Sequence, residues 1–244
     1  MKNLQKTAYN EKLVSKITGK ALCDYKMIAN RDKVLVGVSG RDSLSLLHVL
    51  NERLKFVPIT YKLTAVHIDL NGQDAKVIEE YLKIIGIEYH IIKLDLNIGK
   101  KDVKTGPCFW CSWRRREEMF KLAGRLGCRK IAFAHHLDDI LETFLMNLFY
   151  HGEISAMPPK LRMFKGKFHL IRPFCYLEKR LIEQYAAANN IPKTPYICEY
   201  GKNANRAYMK QVIADIEKRN PFVKKNIFRS MLDIRKQYLP TKDL

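Results

Sequence analysis

The chain has 244 residues, 47% of them hydrophobic, which is enough apolar side chain for the core of one large domain or of one domain with appendages. Its 44 Lys and Arg against 25 Asp and Glu leave a formal net charge of +19, far more than solubility requires. Nucleic acid is the leading partner on that balance, and an anionic membrane surface is the competing one. No apolar run is long enough to span a bilayer and no secretory signal is present, so a cytoplasmic location with no membrane partner is expected. The six cysteines would stay reduced there, which makes metal binding or catalysis a better explanation for them than disulfides.

In chain order, a basic and mildly amphipathic segment opens the sequence and reads as a surface helix. Alternating strand and helix signals follow. The strands predicted are 33–39, 63–69, 89–94, 130–135 and 169–173, with helices at 42–55, 74–85, 113–126, 137–150 and 177–189. This is the pattern of an α/β fold, a parallel twisted sheet with helices on both faces. From about residue 191 the composition shifts through Pro192 and Pro195 to a basic tail containing Lys224, Lys225, Arg229 and Arg235. The expected organisation is therefore an N-terminal helical segment (1–30), a nucleotide-binding α/β domain (31–190) and a basic helical C-terminal appendage (191–244). No internal repeat or low-complexity tract is visible.

Ligands of such a sheet bind beyond the carboxyl ends of the strands, which places 39–43, His67 to Asp69 and His135 to Asp139 around one crevice. At the first of these, Val34-Leu-Val-Gly-Val38 hands over to a helix through Ser39, Gly40, Arg41, Asp42 and Ser43. Backbone N–H groups, the helix dipole and two hydroxyls there suit a phosphate, although an ordinary capped turn uses the same residue types. The spacing is neither that of the common P-loop nor that of a dinucleotide fingerprint. The stretch His135-His-Leu-Asp-Asp139 enters another helix, where the acids complement the dipole or join the histidines at a metal. A third group is Cys108-x-x-Cys111 followed by Arg114, Arg115 and Arg116. A zinc ribbon would need a second such pair, a redox pair would sit in a different strand context, and the remaining option adds Cys198 as a third ligand. Trp110 and Trp113 interleave with the arginines, an arrangement that grips unstacked RNA bases. Cys23, Cys128 and Cys175 read as core.

The turn resembles the PP-loop, Ser-Gly-Gly-x-Asp-Ser, of enzymes that split ATP into AMP and pyrophosphate. Ser39, Gly40, Asp42 and Ser43 match, and Arg41 makes the loop one residue short, which removes a donor N–H and a flexible residue from the pyrophosphate cradle. In order along the chain, Cys108-x-x-Cys111, Arg114-Arg115, residues 130–143, Asn147-Leu-Phe-Tyr-x-Gly152, Met157-Pro-Pro-Lys160, Ile171-Arg-Pro173, Cys198, Asn205 and Arg206 resemble the tRNA 2-thiocytidine synthetases over about 18–235. The resemblance implies ATP and Mg²⁺ held by Ser39, Gly40, Arg41, Asp42, Ser43, His67, Asp69, His136 and Asp139, with Asp42 and Asp139 in catalytic roles. It implies a [4Fe-4S] cluster on Cys108, Cys111 and Cys198, Pro195 standing where the family has a further cysteine. It also implies tRNA as partner, touched by Arg114, Arg115, Arg116, Lys160 and Arg206, a sulfur donor protein or free sulfide, and a homodimer. The implied reaction adenylates the C2 oxygen of an anticodon-loop cytidine and replaces it with sulfur carried on the open iron. Two alternatives remain at this point: a cluster-bearing tRNA-binding protein that has lost adenylation through its short loop, and a related tRNA-modifying ligase or desulfurase.

Overall fold

The structure, a computed structural model, describes residues 2–70, 72, 74–95, 107–194 and 204–240. The chain folds as two compact units, Met1–His136 with Pro158–Lys202, and Leu137–Met157 with Asn203–Leu244.

The first unit holds strands β1 (Asp32–Val38), β2 (Tyr61–Asp69), β3 (Glu88–Lys93), β4 (Lys130–Ala132), β5 (Lys160–Met163) and β6 (Phe168–Ile171), and helices α1 (Lys2–Asp24), α2 (Arg41–Arg53), α3 (Ala75–Ile84), α4 (Pro107–Leu126) and α6 (Lys179–Ala188). The strands form one six-stranded sheet in the order β3-β2-β1-β4-β6-β5. Every neighbouring pair is parallel except β5 with β6. The α/β expectation therefore holds. β1 runs through the middle, and its stretch Val34-Leu-Val-Gly-Val38 is unbroken by polar residues because both faces are covered there: Val34, Leu35 and Val36 have no exposed surface. Leu35 joins Val66, Ile68, Ile131, Phe168 and Leu170 in a core cluster closed by Met119, Leu122 and Ala123 of α4. That helix lies close on the strand: a Cβ at Gly37 would meet the Met119 Cε at 2.5 Å.

Several elements differ from the sequence-based expectation. α4 starts at Pro107, with the proline at its first position, so the Cys-x-x-Cys pair lies inside a helix rather than in a loop ahead of one. β5 is an additional strand, short and antiparallel at the sheet edge, and its four residues of mixed polarity carry too little alternation to be read. β4 ends at Ala132; Phe133 N still donates to Ile171 O (2.9 Å) before the chain leaves the sheet. Cys23 is exposed, because the buried stripe of α1 runs through Asn10, Val14, Thr18 and Ala21 and leaves position 23 on the opposite face. Cys128 and Cys175 are buried as expected.

The second unit contains α5 (Leu137–Met146), a π-helical turn at Asn147–His151, α7 (Ala204–Glu217) and α8 (Val223–Ser230). Gly152, left-handed at φ 66°, ends the π turn, which occupies the end of the stretch expected to be regular helix. Leu137, Leu141, Phe144 and Leu145 pack on Met209, Ile213 and Val223. Lys224 reaches both Asp138 and Glu217 at 3.2 Å. Among the described residues no helix is long and apolar enough to cross a membrane.

In the first unit, His48 of α2 and Tyr185 of α6 share a 2.7 Å hydrogen bond between Nδ1 and the hydroxyl. Burial holds the His48 pKa below its ordinary 6.5. Above that value the ring is neutral in both folded and unfolded chains. As pH falls through it, the unfolded chain takes up a proton that the folded ring refuses, so stability drops until the lower, folded-state pKa is passed. Urea titrations at about pH 7.5 and about pH 5.5 should therefore show a larger acid loss in the unsubstituted chain than in His48→Gln.

Candidate functional site

The chain passes from the end of β1 at Val38 to the start of α2 at Arg41 through only two residues, Ser39 and Gly40. The Ser43 hydroxyl satisfies that turn. Its Oγ accepts from Ser39 N (2.8 Å) and Gly40 N (3.1 Å) and donates to Gly40 O (2.8 Å). This is the reaching-back half of a capping box, with serine at the third helical position doing what Glu or Gln usually does. Gly40 is extended at φ 170°, so its backbone is open to any residue; the constraint is Thr194, whose Oγ1 would lie 3.3 Å from a Cβ there. Arg41 follows with its Nε buried and unpartnered.

Asp42, in the first turn of α2, is held by Lys179, the first residue of α6: Nζ lies 2.6 Å from Oδ1 and 2.5 Å from Oδ2. His136, buried, places Nε2 3.9 Å from Asp42 Oδ2. Beside the turn, Ser39, His67, Ile68, Asp69, Leu70, Asp74 and Arg115 line a cavity of about 170 Å³. His67 Nδ1 donates to Val38 O (2.9 Å), which fixes the ring and leaves its buried Nε2 without a partner. Asp69 ends β2 and accepts from Gly72 N at 2.6 Å. The structure thus brings Ser39, Gly40, Asp42, Ser43, His67, Asp69 and His136 to one edge of the sheet, as the crevice rule anticipates.

Asp139 belongs to the second unit, where Arg206 Nη1 lies 3.6 Å from its Oδ1 and 3.5 Å from Glu142 Oε2, and Arg206 Nη2 donates to Thr143 Oγ1 (3.3 Å). Burial raises the Glu142 pKa and the Arg206 charge opposes that rise. Lys160 is also engaged: it donates to Lys26 O at 2.5 Å, and burial lowers its pKa. Of the arginine run, Arg114 pairs with Glu117 (3.2 Å), Arg116 Nε donates to Ser112 O (3.1 Å), and Arg115 turns to the cavity. Cys111 is half-buried in the first turns of α4, with position 108 one turn before it on the same helix. Trp110 stacks edge-on against Phe109 and Trp113, whose rings are exposed. The side chain of Cys108 and all of Cys198 lie outside the described residues. Among the described residues no three His, Cys, Asp or Glu side chains converge as a metal site.

Sequence reasoning missed two groups. Lys179 stands out only once α6 is seen to start there rather than at the expected 177, since a lysine at the first position of a helix opposes the dipole. Arg172, buried just after β6, donates to Pro158 O at 2.5 Å, and burial brings its pKa down to about 10. Arg172 lies in the Ile171-Arg-Pro173 motif, but nothing in the sequence marks it as buried.

A family model described as a PP-loop domain matches residues 11–215. A tRNA-cytidine(32) 2-sulfurtransferase of Polynucleobacter necessarius is 39% identical over 236 residues, covering 94% of this chain and 78% of the relative. The enzyme of that name from Pseudomonas putida is 36% identical over 241 residues, covering 96% and 88%. Among solved structures, the U34-tRNA thiolase of Methanococcus maripaludis with its [4Fe-4S] cluster superposes with a TM-score of 0.76 at 22% identity, over 93% of this chain and 78% of that one, a likeness of fold.

The Ser43 hydroxyl serves two backbone donors at once. Ser43→Ala should cost about 1–2 kcal/mol in chemical unfolding and speed amide exchange at Ser39 and Gly40, with residues in β3 unaffected.

Proposed function

The chain belongs to the PP-loop family of tRNA sulfurtransferases, and on that premise we propose that it consumes ATP to replace the C2 oxygen of an anticodon-loop cytidine with sulfur. The observation that carries the nucleotide half is the assembly of Ser39, Gly40, Asp42, Ser43 and His136 at the mouth of β1, next to a cavity lined by His67 and Asp69. Two helix N-termini, those of α2 and α6, meet there with Lys179 between them. Such a place favours a polyphosphate. The carboxylate of Asp42 is a hard oxygen donor of the kind Mg²⁺ takes. The buried, unpartnered Nε2 of His67 is a candidate contact for a base.

In this reading the cytidine O2 attacks the α-phosphorus of ATP and pyrophosphate leaves. The adenylated C2 then accepts hydrosulfide, and AMP departs with loss of the remaining proton. The chain's own residues hold the phosphates in line and compensate the charge that moves onto pyrophosphate. Cys108, Cys111 and Cys198 are the thiolates assigned to a [4Fe-4S] cluster, which would handle the sulfur. The half-buried Cys111 one turn after position 108 suits such a ligand pair. Exposed Phe109 and Trp113, with the arginines of α4 and the net charge of +19, fit an unstacked RNA loop.

One observation favours a second reading, a tRNA-binding protein without adenylation: the Ser43 hydroxyl already occupies the two N–H groups that a longer loop would offer to phosphate. Anaerobically reconstituted protein with ATP, Mg²⁺, sulfide and tRNA separates the two. Under the first reading, pyrophosphate is released and 2-thiocytidine appears in the digested tRNA. Cys111→Ser then loses the visible iron–sulfur absorbance and the thiolated base while still releasing pyrophosphate. Absence of pyrophosphate release with the cluster intact, restored by inserting a glycine after Gly40, would establish the second reading instead.

A further inference from the structure

Lys179 stands at the end of α6 where a cation is least favoured, and its ammonium bridges both oxygens of Asp42 at 2.6 and 2.5 Å. Neither partner is deeply buried: the side chains are 37% and 28% exposed. An exposed ion pair of this kind adds little stability, so fold maintenance is a weak reason for a lysine that opposes a helix dipole. A divalent metal would take one of the same oxygens, at shorter range and with stricter geometry. His136 Nε2, 3.9 Å from Oδ2, completes a polar rim around the carboxylate. Four flexible carbons separate the ammonium from the backbone, enough for it to move off Asp42 while staying over the N-terminus of α2.

We propose that Lys179 is a place-holding positioning residue. It neutralises Asp42 while the site lacks nucleotide, is displaced from the carboxylate when a metal–nucleotide complex enters, and moves onto the pyrophosphate oxygens that leave. The inference rests on the ATP-dependent reading above and adds to it a residue and a sequence of charge exchange. Before binding, the loop carboxylate is compensated by an ammonium. After binding, the metal compensates the carboxylate and the ammonium compensates the phosphates, so neither anion is left bare. Charge accumulating on pyrophosphate as the bond to the α-phosphorus breaks strengthens the contact in the transition state, where it helps the rate.

The test separates place-holding from structure by the sign of two effects. Binding of Mn²⁺ alone is read by electron paramagnetic resonance, and binding of a fluorescent ATP analogue with Mg²⁺ by titration, in the unsubstituted protein, Lys179→Met and Lys179→Arg. Thermal unfolding is followed in all three. Lys179→Met should bind Mn²⁺ several-fold more tightly, because the carboxylate has lost its competitor, and the Mg²⁺–nucleotide roughly tenfold less tightly. Lys179→Arg should recover most of the nucleotide affinity. A parallel weakening of both that tracks a fall in unfolding temperature, or no change in either, overturns the proposal. If the unsubstituted protein binds no nucleotide at all, the ATP reading fails, and an unchanged Mn²⁺ affinity in Lys179→Met would then refute place-holding on its own.

Discussion

The two-residue passage from β1 to α2 is the constraint on which the site depends. β1 is buried along both faces and cannot shift, and α2 begins at Arg41, so Ser39 and Gly40 must turn the chain with their N–H groups pointing inward. The buried hydroxyl of Ser43 accepts from both of these part-buried donors, a net gain of about 0.5–1.5 kcal/mol for each hydrogen bond. That choice sets the rest. It pins the first turn of α2 to the carboxyl edge of the sheet, directs Asp42 toward α6, and brings Lys179 within hydrogen-bond reach. A longer loop would present its N–H groups to a ligand; this one presents a helix terminus, a carboxylate and a lysine, and spends its nearest N–H groups on itself.

The net charge overstates what is available to a nucleic acid. Arg53 is turned inward to Ser15, its Nη1 2.6 Å from the carbonyl. Lys160 caps the carbonyl of Lys26, Arg172 that of Pro158, and Arg206 and Lys224 neutralise acids of α5 within the second unit. Arg172 illustrates how far this goes: burial lowers its pKa to about 10, and the nearby charge of Arg116 adds to the depression. Cations at such positions stabilise by satisfying carbonyls and carboxylates, and phosphate would have to displace those bonds to reach them. Arg115 instead faces the cavity beside Ser39 and His67, which makes it the member of the arginine run set closest to the candidate nucleotide pocket.

Much of the fold is legible in the sequence, and the limits have physical causes. The parallel strands are readable because burial on both faces produces unbroken runs such as Val34-Leu-Val-Gly-Val38, and the helices because their apolar positions recur at 3.6-residue spacing. β5 is not, since a four-residue edge strand is defined by its hydrogen-bonded neighbour rather than by its own pattern. α4 begins at Pro107 rather than at the expected 113: Cys-Phe-Trp-Cys has no polar face to declare a helix, and only the proline marks the entry. The turn at 39–43 and His67, Asp69 and His136 are legible through the rule that ligands meet strand ends. Their partners are not, because Lys179 and Thr194 come to the loop from more than 130 residues downstream, a juxtaposition that the sheet order creates and no local window contains.

What the site retains in violation of local preference is informative about its chemistry. A lysine opens α6 against the dipole, a histidine keeps a buried ring nitrogen without a partner, and an arginine beside them does the same with its Nε. Each arrangement is mildly unfavourable by itself, and all three lie around one loop of five residues. His67 keeps one ring nitrogen on Val38 O and Lys179 keeps Asp42, so part of the polarity at this loop is already used within the fold. The concentration of all three at the carboxyl edge of β1 and β2, where the N-termini of α2 and α6 also meet, sets this loop apart from the rest of the sheet edge, because violations of local preference gather at functional or strained sites.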